Sequence, residues 1–157
     1  MGEAPLSVAR LHQLESGVEV DYRQSTAEQL AETVPESYDI VCCLEMLEHV
    51  PEPGEVIAAC ARLVKPGGAL YFSTLNRNLK SFAFAIVGAE HILQLLPAGT
   101  HEYAKFIKPS EVASWIREAG LVLQGMTGLT YNPLSKRYRL DETDVSVNYM
   151  VRTVKPA

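Results

Sequence analysis

The sequence predicts an α/β fold in which a parallel, doubly wound sheet ends in an antiparallel pair of strands. Two continuous apolar runs, YDIVCCL and ALYFSTL, are typical of strands that are covered on both faces. A helical pattern lies between them, and strand and helix alternate through most of the chain, which favours parallel strands joined by helices. The last part instead carries two strand patterns in succession, which predicts a hairpin.

The first elements follow from hydrophobic spacing and from cap residues. Apolar residues at helical spacing predict a helix over 4–16 that Gly17 ends. The alternating VEVDY at 18–22 predicts a strand. Ser25 followed by Glu28 has the spacing of a capping box and predicts a short helix through about residue 31.

The central elements surround the two apolar runs. Residues 38–44 and 69–75 are predicted strands, and the helix between them begins near Gly54, with Lys65 and Gly67 marking its C-terminal end. Adjacent Cys42 and Cys43 would point to opposite faces of the first of these strands.

The last elements are three helices and two strands. Two helices are predicted within 79–98, and a third over Pro109–Ala119, with Ser110 as its N-cap and Gly120 as its stop. Strands over 121–131 and 146–155 are predicted to pair across a loop at 132–142.

Composition limits the function. A chain of 157 residues with 47% apolar residues predicts one domain with a real core. The net charge of −5 and the scattered basic residues argue against a nucleic-acid partner. The three cysteines lack CxxC spacing, so we expect reduced core residues of a cytosolic protein. The N-terminus has no secretory signal pattern, and Glu90 and His91 interrupt the most apolar stretch, which argues against a transmembrane helix.

Each of the two central strands is followed by polar residues. The first strand ends at Leu44 and the second at Leu75. Ligands of such sheets bind beyond the carboxyl ends of the strands. If residues 45–50 turn helically, three side chains at positions i, i+3 and i+4 share one face there, and they are Glu45, Glu48 and His49. Two carboxylates and an imidazole on one face could coordinate a divalent cation, or could act as acid and base toward a substrate hydroxyl. Spacing alone favours a simpler interpretation, in which both glutamates are solvated acids at a helix N-terminus and the histidine is a surface residue. Asn76 and Arg77 are candidate polar contacts to a substrate.

Five segments carry a resemblance to a known family: YDIVCCLEMLEHVPEP, LVKPGGALYFSTLNRN, VGAEHIL, GTHEYAKFIKP and GLTYNP. Together they resemble the ubiquinone-biosynthesis O-methyltransferases, which use S-adenosylmethionine to methylate polyprenyl catechols. The resemblance runs from Met1 to about Thr153. It implies the Rossmann-like fold of class I S-adenosylmethionine-dependent methyltransferases and, as substrate, a polyprenyl hydroxyphenol of ubiquinone biosynthesis.

The resemblance also implies roles for particular residues. Leu44 takes the place of an apolar residue that lines the cofactor pocket. Glu45, Glu48 and His49 match a constellation that is a magnesium site in eukaryotic relatives, so Mg²⁺ is a candidate cofactor. A cation or a base at this point would promote deprotonation of the substrate hydroxyl.

The resemblance covers only the C-terminal two thirds of the family pattern. The glycine-rich DxGCGGG loop and the strands around it have no counterpart in these 157 residues. We therefore expect a single, N-terminally incomplete domain that binds S-adenosylmethionine very weakly or not at all. The family sheet order is 3-2-1-4-5-7-6, so residues 18–22 would either dock directly on the central strand or detach, and apolar surface would be exposed.

Residues 76–100 are expected to form a helical insertion that covers the active site. The resemblance implies peripheral membrane contact through its apolar residues, namely Phe82, Phe84, Ile86 and Val87, with Arg77 and Lys80 beside them. A helical cover packed over the pocket is the alternative.

We expect a cytoplasmic protein, peripheral at the inner face of the membrane, and a complex of ubiquinone-biosynthesis enzymes as a further partner. Two other functions stay open: a non-enzymatic remnant or binding module, and methylation of another small hydroxylated substrate.

Overall fold

The structure, a computed structural model, describes residues 3–82, 103–132 and 137–157. The helices are α1 (Glu3–Ser16), α2 (Ala27–Thr33), α3 (Pro53–Leu63), the single turn α4 (Leu79–Ser81) and α5 (Pro109–Glu118), with short 3₁₀ helices at Leu47–His49 and Tyr103–Lys105. The strands are β1 (Tyr38–Leu44), β2 (Val64–Leu75), β3 (Val122–Asn132), β4 (Arg137–Asp141) and β5 (Asn148–Val154).

The strands form one five-stranded sheet in the order β1-β2-β5-β3-β4. β1 and β2 are parallel, with Leu44 beside Ser73. β5 runs antiparallel to both β2 and β3, and its first residue, Asn148, lies opposite Leu75. The predicted α/β sheet with a terminal antiparallel pair is confirmed, although the predicted loop at 132–142 contains the additional strand β4.

One face of the sheet is covered by α3 and α5. We call it the covered face, and its residues on β1, β2 and β5 are Cys43, Leu70, Phe72, Tyr149 and Val151. Apolar residues of the helices, among them Ile57 on α3 and Ile116 on α5, complete this core and are fully buried. The helical spacing of these apolar residues gives each helix one apolar face that it buries against the sheet.

The opposite face of β1, which we call the open face, is exposed. Ile40 is 60% exposed and Leu44 is 49% exposed, and Cys42 lies between them. The prediction that β1 is covered on both faces is therefore wrong. Among the described residues only β2 pairs with β1, so its other edge has no partner strand.

Residues 18–22 have no regular secondary structure, so the predicted strand there is wrong. A strand needs a partner for its ladder of hydrogen bonds, and in the described sheet none pairs with this segment. Val18 and Val20 are exposed, as are Leu11 and Leu14 of α1. Of the two outcomes expected for this segment, docking on the central strand or detachment, the structure shows the second, and the expected exposure of apolar surface is observed.

Three predicted element ends differ by a few residues. The capping box of α2 uses Thr26 and Gln29 rather than Ser25 and Glu28. α5 begins after Lys108, whose backbone N–H donates to the Glu111 carboxylate, and not after Ser110. α3 ends at Leu63, because residues 64–68 enter the sheet through hydrogen bonds between Gly67, Gly68 and Lys155, in which both donors are backbone N–H groups.

Of the three cysteines, Cys43 and Cys60 are buried as predicted, but Cys42 is exposed. The opposite orientation of the adjacent pair is confirmed. Of the two helices predicted within 79–98, the structure describes only the turn α4, and residues 83–98 lie outside the described residues. In the described part of the chain no helix is both long and apolar enough to cross a membrane.

Candidate active site

Glu45 leaves β1 in a left-handed backbone conformation, with φ of 50°. Its backbone N–H donates to the carbonyl oxygen and to Oγ of Ser73, at 3.1 and 3.0 Å. The Ser73 hydroxyl in turn donates to Glu45 Oε1 at 2.6 Å. A non-glycine residue in this conformation is uncommon and is often found at functional sites. The result is an exposed carboxylate that is fixed at the carboxyl ends of β1 and β2.

Asn148 is the second anchor of the Glu45 carboxylate. Its side-chain Nδ2 donates to Glu45 Oε1 at 2.8 Å, so this oxygen receives hydrogen bonds from two strands. The other end of the amide, Oδ1, is buried and has no hydrogen-bond partner among the described residues.

Glu48 lies in the 3₁₀ helix and is only 3% exposed. Its Oε2 accepts a hydrogen bond from the Thr74 hydroxyl at 2.7 Å. Its Oε1 is buried and, within the described residues, has no partner. A buried carboxylate with a single donor is costly to desolvate, so this group depends strongly on Thr74.

The predicted helical turn over 45–50 is only partly present. The 3₁₀ helix spans Leu47–His49, since Glu45 is left-handed and Val50 is extended. Val50 precedes Pro51, and a residue before proline is disfavoured in the helical region. His49 therefore sits at the end of one short turn, where it is exposed.

The two glutamates are held from opposite faces of the sheet. Ser73 and Thr74 are neighbours in β2, so their side chains leave opposite faces. Ser73 holds Glu45, while Thr74 holds Glu48 on the covered face. The two carboxylates are therefore bound to different faces of β2, and not placed on one face of a helical turn as the spacing predicted.

The donor set does not fit a single magnesium ion in this arrangement. Mg²⁺ requires several oxygen ligands in close octahedral geometry. In residues 3–82, 103–132 and 137–157, no group of three His, Cys, Asp or Glu side chains is placed to hold a metal ion. The metal role of Glu45, Glu48 and His49 stays a prediction, and no chemical step below depends on it.

Asn76 and Arg77 have protein partners. Asn76 binds the loop before β5, because its Nδ2 donates to the Val145 carbonyl and its backbone N–H to the Val147 carbonyl. Arg77 forms an ion pair with Glu111 of α5. These contacts favour a structural role, and the predicted substrate contacts remain untested.

Leu44 ends β1 at the same edge and is about half exposed. An apolar side chain left exposed beside a polar cluster suits the wall of a pocket for an adenosyl or methionine group. Its predicted place in a cofactor pocket therefore fits this geometry, and it remains a prediction.

Sequence reasoning missed Ser73, Thr74 and Asn148. The first two belong to ALYFSTL, whose apolar run predicts a buried strand and no site residue before Asn76. The signal was two polar residues at the carboxyl end of a buried strand, where a sheet of this kind binds its ligands. Asn148 gave no such signal, because its proximity to Glu45 depends on the antiparallel register of β5.

Comparison with known proteins identifies the family. A family model described as a methyltransferase domain matches residues 7–124. The ubiquinone biosynthesis O-methyltransferase of Pseudomonas aeruginosa (strain LESB58) is 66% identical over 157 residues, which are 100% of this chain and 67% of that relative. The chain belongs to the ubiquinone biosynthesis O-methyltransferase family. The Stutzerimonas stutzeri member is also 66% identical, over 99% of this chain and 66% of its own length. This family member thus spans about two thirds of the length of its curated relatives.

Solved structures confirm the predicted methyltransferase fold. A putative methyltransferase from Bacillus halodurans C-125 has a TM-score of 0.67 at 19% identity, covering 100% of this chain and 81% of that one. A possible histamine N-methyltransferase from Thermotoga maritima has a TM-score of 0.64 at 22% identity, covering 87% and 64%. At these identities the likeness concerns the fold of this family member alone.

Proposed function

We propose that the chain forms part of an enzyme that transfers a methyl group from S-adenosylmethionine to a hydroxyl oxygen of a polyprenyl hydroxyphenol in ubiquinone biosynthesis. The observation that carries the proposal is the 66% identity with curated ubiquinone biosynthesis O-methyltransferases over essentially the whole chain. An anchored, exposed carboxylate at the carboxyl edge of the sheet supports it.

The proposed chemistry assigns the proton to Glu45. When bound, S-adenosylmethionine supplies an electrophilic methyl group on a sulfonium. Glu45 accepts the hydroxyl proton as the new O–C bond forms and the S–C bond breaks. The two hydrogen bonds to Oε1 hold the carboxylate in place, so little reorganisation is needed during the reaction. Leu44 would pack against the cofactor beside this carboxylate.

We also propose catalytic roles for Glu48 and His49. Their positions favour a role in which they help to position Glu45. Glu48 fixes the 3₁₀ helix to β2 through Thr74, directly after the turn that presents Glu45. His49 is exposed at the end of that helix, two residues before the Pro51 bend. Both positions influence Glu45 through the backbone between them.

The test is methyl transfer by the full-length protein. Purified protein is incubated with S-adenosylmethionine labelled in the methyl group and with a short-chain prenyl catechol. Mass spectrometry should show one labelled methyl group on a ring oxygen, and a benzoate or an amine of similar size should stay unlabelled. Absence of transfer to the catechol, with the protein folded and cofactor bound, would contradict the proposal and favour a binding module.

Mg²⁺ is the second proposed cofactor, beside S-adenosylmethionine. The Ser73 and Thr74 hydroxyls donate to Oε1 of Glu45 and Oε2 of Glu48, so an ion would be held by the other oxygen of each carboxylate. The prediction is tested by calorimetric titration of Mg²⁺ into wild-type protein and into Glu48→Gln. A metal site requires binding heat in the first case and its loss in the second.

We propose that residues 76–100 contact the membrane, because the family resemblance and the apolar composition of the segment favour it. We also propose that the protein lies at the inner face of the membrane beside other ubiquinone-biosynthesis enzymes. Of this segment only 76–82 lie within the described residues. Phe82 is 39% exposed and packs edge-on against Tyr103, with ring centroids 5.5 Å apart. If the segment binds lipid, changing Phe82 and Phe84 to Asp should abolish flotation with liposomes.

A further inference from the structure

The strand β4, Arg137–Asp141, is the last strand of the sheet and has one free edge. Its other edge pairs with β3, from Gly128 to Asn132. Of the residues that the structure describes, none pairs with the outer edge of β4. A free edge presents backbone N–H and C=O groups that can pair with a strand of another molecule.

Both apolar side chains of β4 are exposed beside this edge. Tyr138 is 70% exposed and Leu140 is 61% exposed. Side chains two positions apart in a strand lie on the same face, so these two share one face. The ring of Tyr138 contacts that of Tyr131 on β3, with ring centroids 4.8 Å apart, and Tyr131 is exposed as well. One face of the hairpin thus carries an exposed apolar strip.

The other face of β4 carries charged residues at alternate positions, Arg137, Arg139 and Asp141. Nη2 of Arg139 lies 3.6 Å from Oδ2 of Asp141, whereas Arg137 has no ion pair in the ranges described. The hydroxyl and the backbone N–H of Thr143 donate to Asp141 Oδ1 at 2.7 and 3.0 Å. These two hydrogen bonds lower the pKa of the Asp141 carboxyl from 3.8, so this end of the strand is negative at neutral pH. The strand therefore begins with a cation and ends with an anion.

We propose that β4 pairs antiparallel with β4 of a second copy of this chain, around a two-fold axis at Arg139. In this register Arg137 of each copy lies opposite Asp141 of the other, and Tyr138 lies opposite Leu140. Each of these pairs occurs twice, because a two-fold interface is self-complementary. The two sheets then join into one continuous sheet across the free edges.

The charges favour this register over its neighbour with the axis at Tyr138. There, Arg137 of each copy would lie opposite Arg139 of the other, and like charges directly opposite each other are destabilising. With the axis at Arg139, the only like-charge pair is Arg139 against its own copy. Asp141 lies beside Arg139 in the same strand and offsets that repulsion.

The charges also favour it over the register with the axis at Leu140. There, Arg139 would lie opposite Asp141 of the other copy, but Arg137 would lie opposite the uncharged Thr143. Charged residues on an edge strand usually keep sheets apart. Here they oppose all but one alignment, in which both apolar residues of β4 also meet an apolar partner.

The length of β4 limits the strength of the contact. A strand of five residues gives an interface smaller than the roughly 1,600 Å² of a standard one. We expect a weak dimer, with a Kd between about 1 µM and 1 mM. The dimer should weaken as salt is added, because the ion pairs at this edge are exposed and are screened.

The first test is sedimentation equilibrium of the full-length protein over a range of concentrations. Wild type should form a dimer whose fraction rises with concentration. Arg137→Asp should raise the Kd by about 10-fold or more, because two pairs of opposite charges become two pairs of facing acids. Arg117→Asp makes the same change of charge at an exposed position of α5 and should leave the Kd unchanged.

The second test locates the two-fold axis. It uses Arg139→Cys and Leu140→Cys, each in a Cys42→Ser background, since Cys42 is the exposed natural cysteine. A residue on the axis lies next to its own copy, so oxidised Arg139→Cys should form a disulfide-linked dimer on a non-reducing gel. Cross-linking by Leu140→Cys and not by Arg139→Cys would overturn the proposed register.

Three other results would overturn the pairing itself. One is a wild-type protein that stays monomeric up to about 1 mM. Another is a dimer that Arg137→Asp and Arg117→Asp weaken equally. The third is a monomer that floats with anionic vesicles and loses this binding on Tyr138→Ser, which would assign the apolar strip to lipid. None of these measurements uses methyl transfer, so a dimer of this kind would stand even if the proposed function failed.

Discussion

On one face of the β1–β2 pair, Phe72 and Cys43 lie buried beneath α3 and α5, while on the other face Ile40 and Leu44 are about half exposed. The two glutamates differ in the same way. Glu48 is buried against Thr74, and Glu45 is exposed and held by Ser73 and Asn148. Residues three positions apart therefore occupy different environments, and we propose a structural role for the carboxylate on the covered face and proton transfer for the one at the open edge.

The largest contrast is expected for the apolar residues of β2. Phe72→Ala should lower the free energy of unfolding by about 3–5 kcal/mol, because it leaves a cavity in the core. Tyr71→Ala, on the open face, is the matched control and should cost less than about 2 kcal/mol, since Tyr71 is only half-buried. Urea unfolding measures both, and equal losses would show that the open face is covered in solution.

The next contrast compares the two hydroxyls that hold the glutamates. Thr74→Val should lower the free energy of unfolding by about 1–3 kcal/mol, because the buried Glu48 Oε2 loses its donor. Ser73→Ala should cost less than about 1 kcal/mol, because water can replace the lost donor at the exposed Glu45.

For kcat, the two variants should rank in the reverse order. Ser73→Ala releases Glu45 and should reduce kcat more than Thr74→Val does. Urea unfolding and methyl transfer on the same preparations check both orders, and a Ser73→Ala protein with wild-type kcat would argue against positioning of Glu45 by Ser73.

The smallest expected effect concerns the loop before β5. Hydrogen bonds from the Ser146 side chain and backbone, together with Lys80, lower the pKa of Asp144 from 3.8 to about 2. A carboxyl group whose pKa is lower in the folded state stabilises the protein above its unfolded pKa, and this stabilisation disappears as the pH falls toward about 2. The difference in urea midpoint between wild type and Asp144→Asn should therefore be present at pH 5 and vanish near pH 2.

Asp21→Asn is the control for that experiment. The pKa of Asp21 is also lowered, mainly by a hydrogen bond from Arg23, but the pair lies two residues apart in an exposed segment without regular structure. Such a local pair persists in the unfolded chain, so this variant should show little difference from wild type at either pH. A pH-dependent loss in Asp21→Asn instead would mean that residues 18–22 are docked in solution.

The sequence was sufficient for the parts of the fold that depend on local pattern. The apolar runs of β1 and β2, the spacing of α3 and the end of α1 at Gly17 each follow from neighbouring residues. The family resemblance supplied the fold and the reaction class, and both the family and the fold are confirmed.

What the sequence did not give depends on long-range pairing. Whether β1 is covered on both faces depends on which elements lie beside it, and YDIVCCL looks the same in either case. Helical spacing predicted Glu45 and Glu48 on one face, but Glu45 has a left-handed backbone and binds Ser73, while Glu48 binds Thr74 on the covered face. Asn148 reaches Glu45 across 103 positions of sequence, which no local pattern can encode.

The division of roles between the two glutamates is tested most directly by comparing Glu45→Gln with Glu48→Gln in the full-length protein, with kcat for the prenyl catechol and urea unfolding measured on the same preparations. Glu45→Gln should reduce kcat by on the order of 100-fold or more, as expected for loss of a general base, with little change in stability. Glu48→Gln should lower the free energy of unfolding by at least as much as it raises the activation free energy for kcat. A Glu45→Gln protein that retains wild-type kcat, or a Glu48→Gln protein that is as stable as wild type but inactive, would contradict this division of roles.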